Sequence, residues 1–436
     1  MITPYGRFVE SVAIPCASGE LTIPVQNPMA ALYLASSDEP AFATIVKEAS
    51  CKHAMPWTVI VYTDGISPAD PLNKHDRRKL VAIYWTLQNF GPEWLCREEC
   101  WFTLATVRTS ILAKIDGGLS HLCRLLLQRF MFNANGIVDL RRGIDLSLAS
   151  MDGVGPSTNL RLIVNLVRLL NDEVALMEVI LCMGHAGYKI CPCCANVINH
   201  RYIDKVTTPW AITSATTDVS LLRMHTDESA RATLRKLLEI RAQHSTTELA
   251  EKEKLYGFHA NEHNLLLDND IPVGVHSSIM WDWLHVYLEN GLLDNEFGVC
   301  MRELNDVPVA PPRRRLGYEV LAEYVIKWAW PGYVRSNPKK LFDPKSNKKM
   351  KAGHFSSTAS ELLTLVPVLT VFFVKAQNTD ALREPPFRRH SKPYFSPLLQ
   401  TQNHLECQDA VVFLTWCQTS WSPRLVRPKG HHKKPP

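Results

Sequence analysis

Residues 57–65, Trp57-Thr58-Val59-Ile60-Val61-Tyr62-Thr63-Asp64-Gly65, decide how the chain is read. β-Branched and aromatic side chains fill the first six positions, which suits a buried strand. Thr-Asp-Gly then supplies residues that favour a turn, and the strand is predicted to end there. Residues 80–87 and 101–107 repeat the strand-like composition, and residues 119–132 carry apolar side chains at helical spacing. A polar, glycine-containing loop is expected up to residue 159. Residues 160–170 form a further apolar run that ends at Asn171-Asp172, and residues 173–182 read as helix. The order is therefore strand, strand, strand, helix, strand, helix. An aspartate stands at the end of the first and of the fourth strand.

Composition narrows the function classes. Of 436 residues, 46% are hydrophobic and 21% charged, close to globular averages and unlike a disordered or fibrous chain. The most apolar stretch, residues 362–374, is too short for a bilayer, and residues 1–10 lack a signal-peptide layout. No membrane partner is expected. The net charge of +5 averages two unlike parts. Residues 313–436 hold 21 Lys+Arg against 8 Asp+Glu, a net of +13, and the remainder is acidic at −8. A basic C-terminal third points to a polyanionic partner, although basic segments are also ordinary solvated surface. Twelve cysteines are scattered, and only Cys191, Cys193 and Cys194 cluster, which in a reducing compartment reads as metal binding or spare thiols.

A three-strand meander, a helix and a fourth strand open the ribonuclease H-like fold, in which carboxylates at the ends of the first and fourth strands lie side by side. Adjacent carboxylates repel unless a divalent cation neutralises them, so Asp64 and Asp172 are candidate ligands for Mg²⁺ or Mn²⁺. Two such ions can hold the attacking and leaving oxygens of a phosphoryl transfer. Taken singly, each aspartate is also an ordinary turn residue. Cys191 and Cys194, two residues apart, form half a zinc site, with His185 and His200 as the nearest further candidates for Zn²⁺. No Walker A loop, nucleophile elbow, zincin helix or dinucleotide fingerprint occurs.

The run from Asp172 to Cys194 resembles the segment around the second catalytic aspartate in transposases of the CACTA, Plavaka and Kyakuja-Dileera-Zisupton group. The resemblance rests on an apolar helix after Asp172, then Gly184-His185, Gly187 and the Cys-Pro-Cys-Cys knuckle. It extends to Asp282-x-x-His285, expected on an amphipathic helix over residues 280–293, and to Glu361, which matches the family's third acidic position. Asp282 and His285 share a helix face, as any surface pair at this spacing would. Thr358-x-x-Glu361 equally fits a capping box.

The resemblance implies a catalytic set of Asp64, Asp172 and Glu361, assisted by Asp282 and His285, and DNA as substrate. It also implies a nuclear location and further copies of the chain as partners. Arg313, Arg314, Arg315, Lys339, Lys340, Lys348, Lys349 and Lys351 are the candidate DNA-backbone contacts. The expected fold class is α/β, a ribonuclease H-like mixed sheet interrupted by a large, mostly helical insertion. Its expected divisions are a lead-in over residues 1–56, with one helix near 29–49, and a first core part over 57–194. An insertion over 195–350 and a core-completing helix with basic tail over 351–436 follow. The short stretch before Asp64 and the basic residues 427–436 lead to the expectation of a truncated or decayed copy. The alternative function is therefore an inactive DNA-binding relic or a zinc-stabilised interaction protein.

Overall fold

A computed structural model describes residues 1–16, 19–66, 79–150, 157–206, 209–216, 218–282, 284–288 and 318–328, with further helical positions at 293, 298 and within 361–372. Two compact units divide it, Met1–Trp281 and Asp282–Pro436.

The first unit is built on a seven-stranded mixed sheet. In chain order its strands are β1 (Val9–Cys16), β2 (Gly19–Gln26), β3 (Trp57–Ile66), β4 (Leu80–Leu87), β5 (Phe102–Arg108), β6 (Val164–Asn171) and β7 (Ile279–Trp281). Across the sheet they run β7-β6-β3-β4-β5-β2-β1. β6 lies between β3 and β7 and is parallel to both, whereas β3, β4 and β5 form an antiparallel meander. Val59, Val61, Ile83, Trp85, Leu87, Val167 and Leu169 fill one face, each at most 1% exposed. Ile60, Ala82 and Thr86, on the opposite face, are buried as well, which is why β3 and β4 read as nearly continuous apolar runs. Strands that bury both faces cannot alternate with polar residues.

Helices α1 (Pro28–Asp38), α2 (Pro40–Lys52), α3 (Gly118–Phe130) and α4 (Glu173–Ile180) contribute buried residues to the same core. The expected single helix over 29–49 is two helices, because Pro40 cannot continue a helix and disfavours the helical conformation in Glu39. Asn27 caps α1, its side chain accepting from the amides of Met29 and Ala30, with Pro28 at the first turn.

Three further expectations are corrected. Residues 1–56 include β1 and β2, which pair along their whole length and join the sheet at Val25–Ala105. The polar stretch before residue 159 contains Ile144–Leu148, which pairs antiparallel with Thr158–Leu162 as a separate two-stranded sheet. Residues 280 and 281, expected at the start of a helix, belong with Ile279 to β7 instead. Helical backbone in that region begins at Leu284–Leu288. Between β6 and β7 stand the knuckle, two short paired strands and the helices α5 (Asp227–Gln243) and α6 (Thr246–Tyr256). The expected boundary at 194/195 falls inside this first unit.

In the second unit α7 (Tyr318–Ile326) buries Leu321 and Val325, and the described positions among 361–372 are helical, with Leu362 and Leu365 fully buried. The Tyr324 and Phe372 rings lie 5.3 Å apart.

Candidate active site

Asp64 lies inside β3, paired with Ala82 of β4, and the strand continues two residues beyond it to Ile66. The turn expected at Thr63-Gly65 is therefore absent, since Val81 and Leu80 still pair with Gly65 and Ile66. Asp172 follows the last residue of β6 and caps α4, with one carboxylate oxygen accepting from the Ala175 amide at 2.6 Å. The parallel register pairs Tyr62 with Leu170. Two residues further on come Asp64 and Asp172. Asp64 continues β3, whereas Asp172 has left β6 as the N-cap of α4, so the two stand at the same end of adjacent parallel strands. Asp64 is exposed and Asp172 half-buried.

Their immediate predecessors form a clamp. Asn171 Oδ1 accepts from the Thr63 amide at 3.1 Å and from the Thr63 hydroxyl at 2.6 Å, all within the buried side of the sheet. Neither Asn171 nor Thr63 was singled out by sequence reasoning, because neither belongs to a motif. Only the strand pairing brings them together.

Two further charged groups gather here. The Lys79 stem lies across Gly65, where an added Cβ would meet its Cε at 3.3 Å. Glu178, on α4, has its carboxyl raised above the usual range by desolvation and by Asp172, with Lys79 acting the other way. Glu178 thus stands in the field of Asp172 and Lys79. Among the described residues, no three His, Cys, Asp or Glu side chains are gathered as a metal-holding group.

The knuckle makes a second locus. A cavity of about 510 Å³ is bounded by Cys182, His185, Cys191, His200, Ser214 and Trp281, so two of the candidate histidines and Cys191 share one wall. His185 is 80% exposed, with Nδ1 3.9 Å from the Glu173 carboxylate, and His200 Nδ1 lies 3.5 Å from the Ser214 hydroxyl. Hydrogen bonds from the Cys193 and Cys194 thiols lower the pKa of Cys191 and raise their own. Burial pushes Cys182 up to about 12. The fold also brings His225 to this cluster. Its amide donates to the Cys193 carbonyl at 2.8 Å, its Nδ1 is 2.9 Å from the Ser229 hydroxyl, and burial lowers its pKa. A separation of more than thirty residues hid it from a search for local spacing.

The remaining candidates divide between the second unit and the undescribed residues. Asp282 accepts the Val286 amide through its backbone carbonyl at 3.0 Å. His285 has helical backbone, and its side chain lies outside the described residues. Glu361 is helical and half-buried, while Thr358, its capping partner, lies outside the described residues. So do Arg313, Arg314, Arg315, Lys339, Lys340, Lys348, Lys349 and Lys351. Arg141 and Arg142, another basic pair, are both tied to Asp139, at 2.9 and 3.2 Å. His259 and His263, four residues apart, have separate partners. His259 faces Glu253 at 3.4 Å, and His263 stacks on His121. Among the described residues no helix is long and apolar enough to cross a membrane. The chain matches no protein-family model and no curated protein.

Proposed function

We propose that the chain is a transposase-derived DNA-binding protein with a metal-dependent strand-cleavage and strand-transfer core of the DDE type. The observation that carries the reading is the parallel pairing of β3 with β6, in register up to Tyr62 and Leu170, two residues short of Asp64 and Asp172. The strand order supports it as well. β3, β4 and β5, then α3, β6 and, after the long segment that carries α4, α5 and α6, β7 give the spatial order 3-2-1-4-5 expected of a ribonuclease H-like sheet, with β2 and β1 added beyond β5.

Asp64 and Asp172 would hold Mg²⁺ or Mn²⁺. The donor set fits, since Mg²⁺ is commonly bound by one or two carboxylates with the rest of its shell from water and substrate phosphate. Asp172 has one oxygen engaged by Ala175 and the other left for this task. The ion, when bound, neutralises the carboxylate pair and polarises the phosphodiester. The clamp of Asn171 on Thr63 fixes the spacing of the two carboxylates, and Lys79 supplies a cation for the phosphate. Water attacks phosphorus and the P–O3′ bond breaks, releasing a 3′-hydroxyl. That hydroxyl then attacks the phosphorus of a second phosphodiester, forming a new P–O3′ bond while that strand's own P–O3′ bond breaks and its 3′-hydroxyl leaves. Zn²⁺ would be held by Cys191 and Cys194, with His185 or His200 completing the set, as a structural ion. The partners of this reading are DNA and further copies of the chain, and its place is the nucleus.

The test is incubation of purified protein with terminal-repeat DNA and Mg²⁺ or Mn²⁺. Nicked or joined strands are expected, and Asp64→Asn and Asp172→Asn each remove several kcal/mol of transition-state stabilisation, about 10²-fold or more. Glu361→Gln tests the third carboxylate in the same assay. Cleavage unchanged in Asp64→Asn and Asp172→Asn overturns the mechanism. Salt-sensitive DNA binding without cleavage under either metal assigns the inactive relic instead.

A further inference from the structure

The hairpin of β1 and β2 leaves one long edge of the sheet open. The two strands pair from Val9–Gln26 to Cys16–Gly19, and β1 ends the strand order. Its prolines show which backbone groups face outward. Pro24, opposite Ser11, and Pro15, opposite Glu20, have no N–H to give to the ladder, so both pairs are of the non-hydrogen-bonded kind. The Asn27 amide donates to the Phe8 carbonyl at 2.9 Å, which sets the same phase. Even-numbered residues of β1 therefore face β2. The amides of Val9, Ser11 and Ala13 point away from it, together with the carbonyls of Val9, Ser11, Ala13 and Pro15. Among the described residues no further strand pairs with them. The side chains of these four residues are exposed and uncharged. Open edges are usually kept short, bulged or guarded by lysine. The opposite edge, β7, is three residues long. β1 is eight residues long with neither bulge nor lysine, and its one charged side chain, Glu10, is held on the other face by Asn27 and Arg129.

We propose that two copies of the chain join at this edge, β1 of one pairing antiparallel with β1 of the other about a twofold axis at Ser11. A contact between identical surfaces must be self-complementary, and the row of outward groups is so about this axis. Val9 stands opposite the second copy's Ala13, and Ser11 opposite the second copy's Ser11. All three outward amides of each copy then meet a carbonyl of the other, and Pro15, which has no amide to offer, falls beyond the paired stretch. An axis nearer the C-terminal end of β1 sets Pro15 in the new ladder, where a donor is missing. An axis nearer the N-terminal end carries Ala13 past Val9 and off the strand. The join needs neither DNA nor metal, so it stands or falls apart from the strand-transfer reading.

Sedimentation velocity on the full chain over a concentration series, without DNA or added metal, tests this. A reversible dimer is expected. Ala13→Pro removes one outward amide per copy and no bond of the hairpin, since prolines already stand in that phase at 15 and 24. It is expected to weaken the dimer at least about tenfold, with the circular dichroism spectrum unchanged. Ser11→Lys sets two like charges face to face at the axis and is expected to weaken it by a similar factor. If Ala13→Pro fails to fold, Ser11→Lys alone decides. A chain that stays monomeric throughout the series, or a dimer that either folded variant leaves unweakened, overturns the proposal.

Discussion

Asn171 accepts two hydrogen bonds from one residue of the neighbouring strand, and the two side chains are at most 2% exposed. Replacing it by Ala strands a buried amide and a buried hydroxyl, each costing about 1–3 kcal/mol. Asn171→Ala is therefore expected to lower the urea midpoint of unfolding, and Thr63→Val, which removes only the hydroxyl, to lower it less. The stacked pair of His121 and His263 gives a pH dependence. Their rings are 3.8 Å apart and 3° from parallel. His121 Nδ1 donates to the Asp116 carbonyl at 2.8 Å, the Asp116 carboxylate lies 3.9 Å from His263, and Arg124 binds Asp268 and the Glu262 carbonyl nearby. Burial lowers the His121 pKa from 6.5, and His263 and Arg124 lower it further against Asp116. The folded state thus prefers neutral His121. Its contribution is complete above pH 6.5 and is lost as pH falls below that value toward the folded pKa. The melting temperature of the native chain is expected to drop more between about pH 7 and about pH 5.5 than that of His121→Phe, with His225 leaving a residual slope in both.

At the scale of elements, the hairpin of β1 and β2 carries a prediction that the sequence reading would not have made. Residues 1–56 resemble a lead-in because Pro15, Gly19 and Pro24 interrupt the apolar pattern. Yet Val12, Ile14, Ile23 and Val25 alternate with exposed residues and enter the core at 0–4% exposure. Ile14→Ala is expected to cost about 2–5 kcal/mol, read from denaturant unfolding. A chain beginning at residue 57 is expected to lose cooperative unfolding. By contrast, β3, β4, β5, α3, β6 and α4 were legible, because long β-branched runs and a 3.6-residue period survive any tertiary context. β7 was not. Three residues, Ile279, Met280 and Trp281, are too short a run to carry a strand signal, and only the edge of β6 makes them a strand.

Over the whole molecule, the division of charge should govern affinity for DNA. The basic residues 313–436 carry a net of +13 against −8 in the remainder. Each phosphate contact contributes about 0.9 to the slope of log affinity against log salt. Replacing Arg313, Arg314 and Arg315 by Ala is expected to flatten that slope by about 2–3, measured by fluorescence anisotropy across a salt series. A slope unchanged by the triple substitution removes these residues from the interface. The zinc reading has its own readout. Metal analysis of purified protein is expected to find zinc that Cys191→Ser and Cys194→Ser release. The sequence by itself determined the mixed α/β class, the chain order of the central strands and the position of Asp172 just after the last residue of β6. These follow from side-chain shape and short-range periodicity. Only the tertiary structure decided that Asp64 lies within its strand, that Asn171 clamps Thr63 across the pair of strands, and that His225 joins the cysteine knuckle. Parallel strand pairing brings together residues more than a hundred positions apart, and no local spacing encodes that juxtaposition.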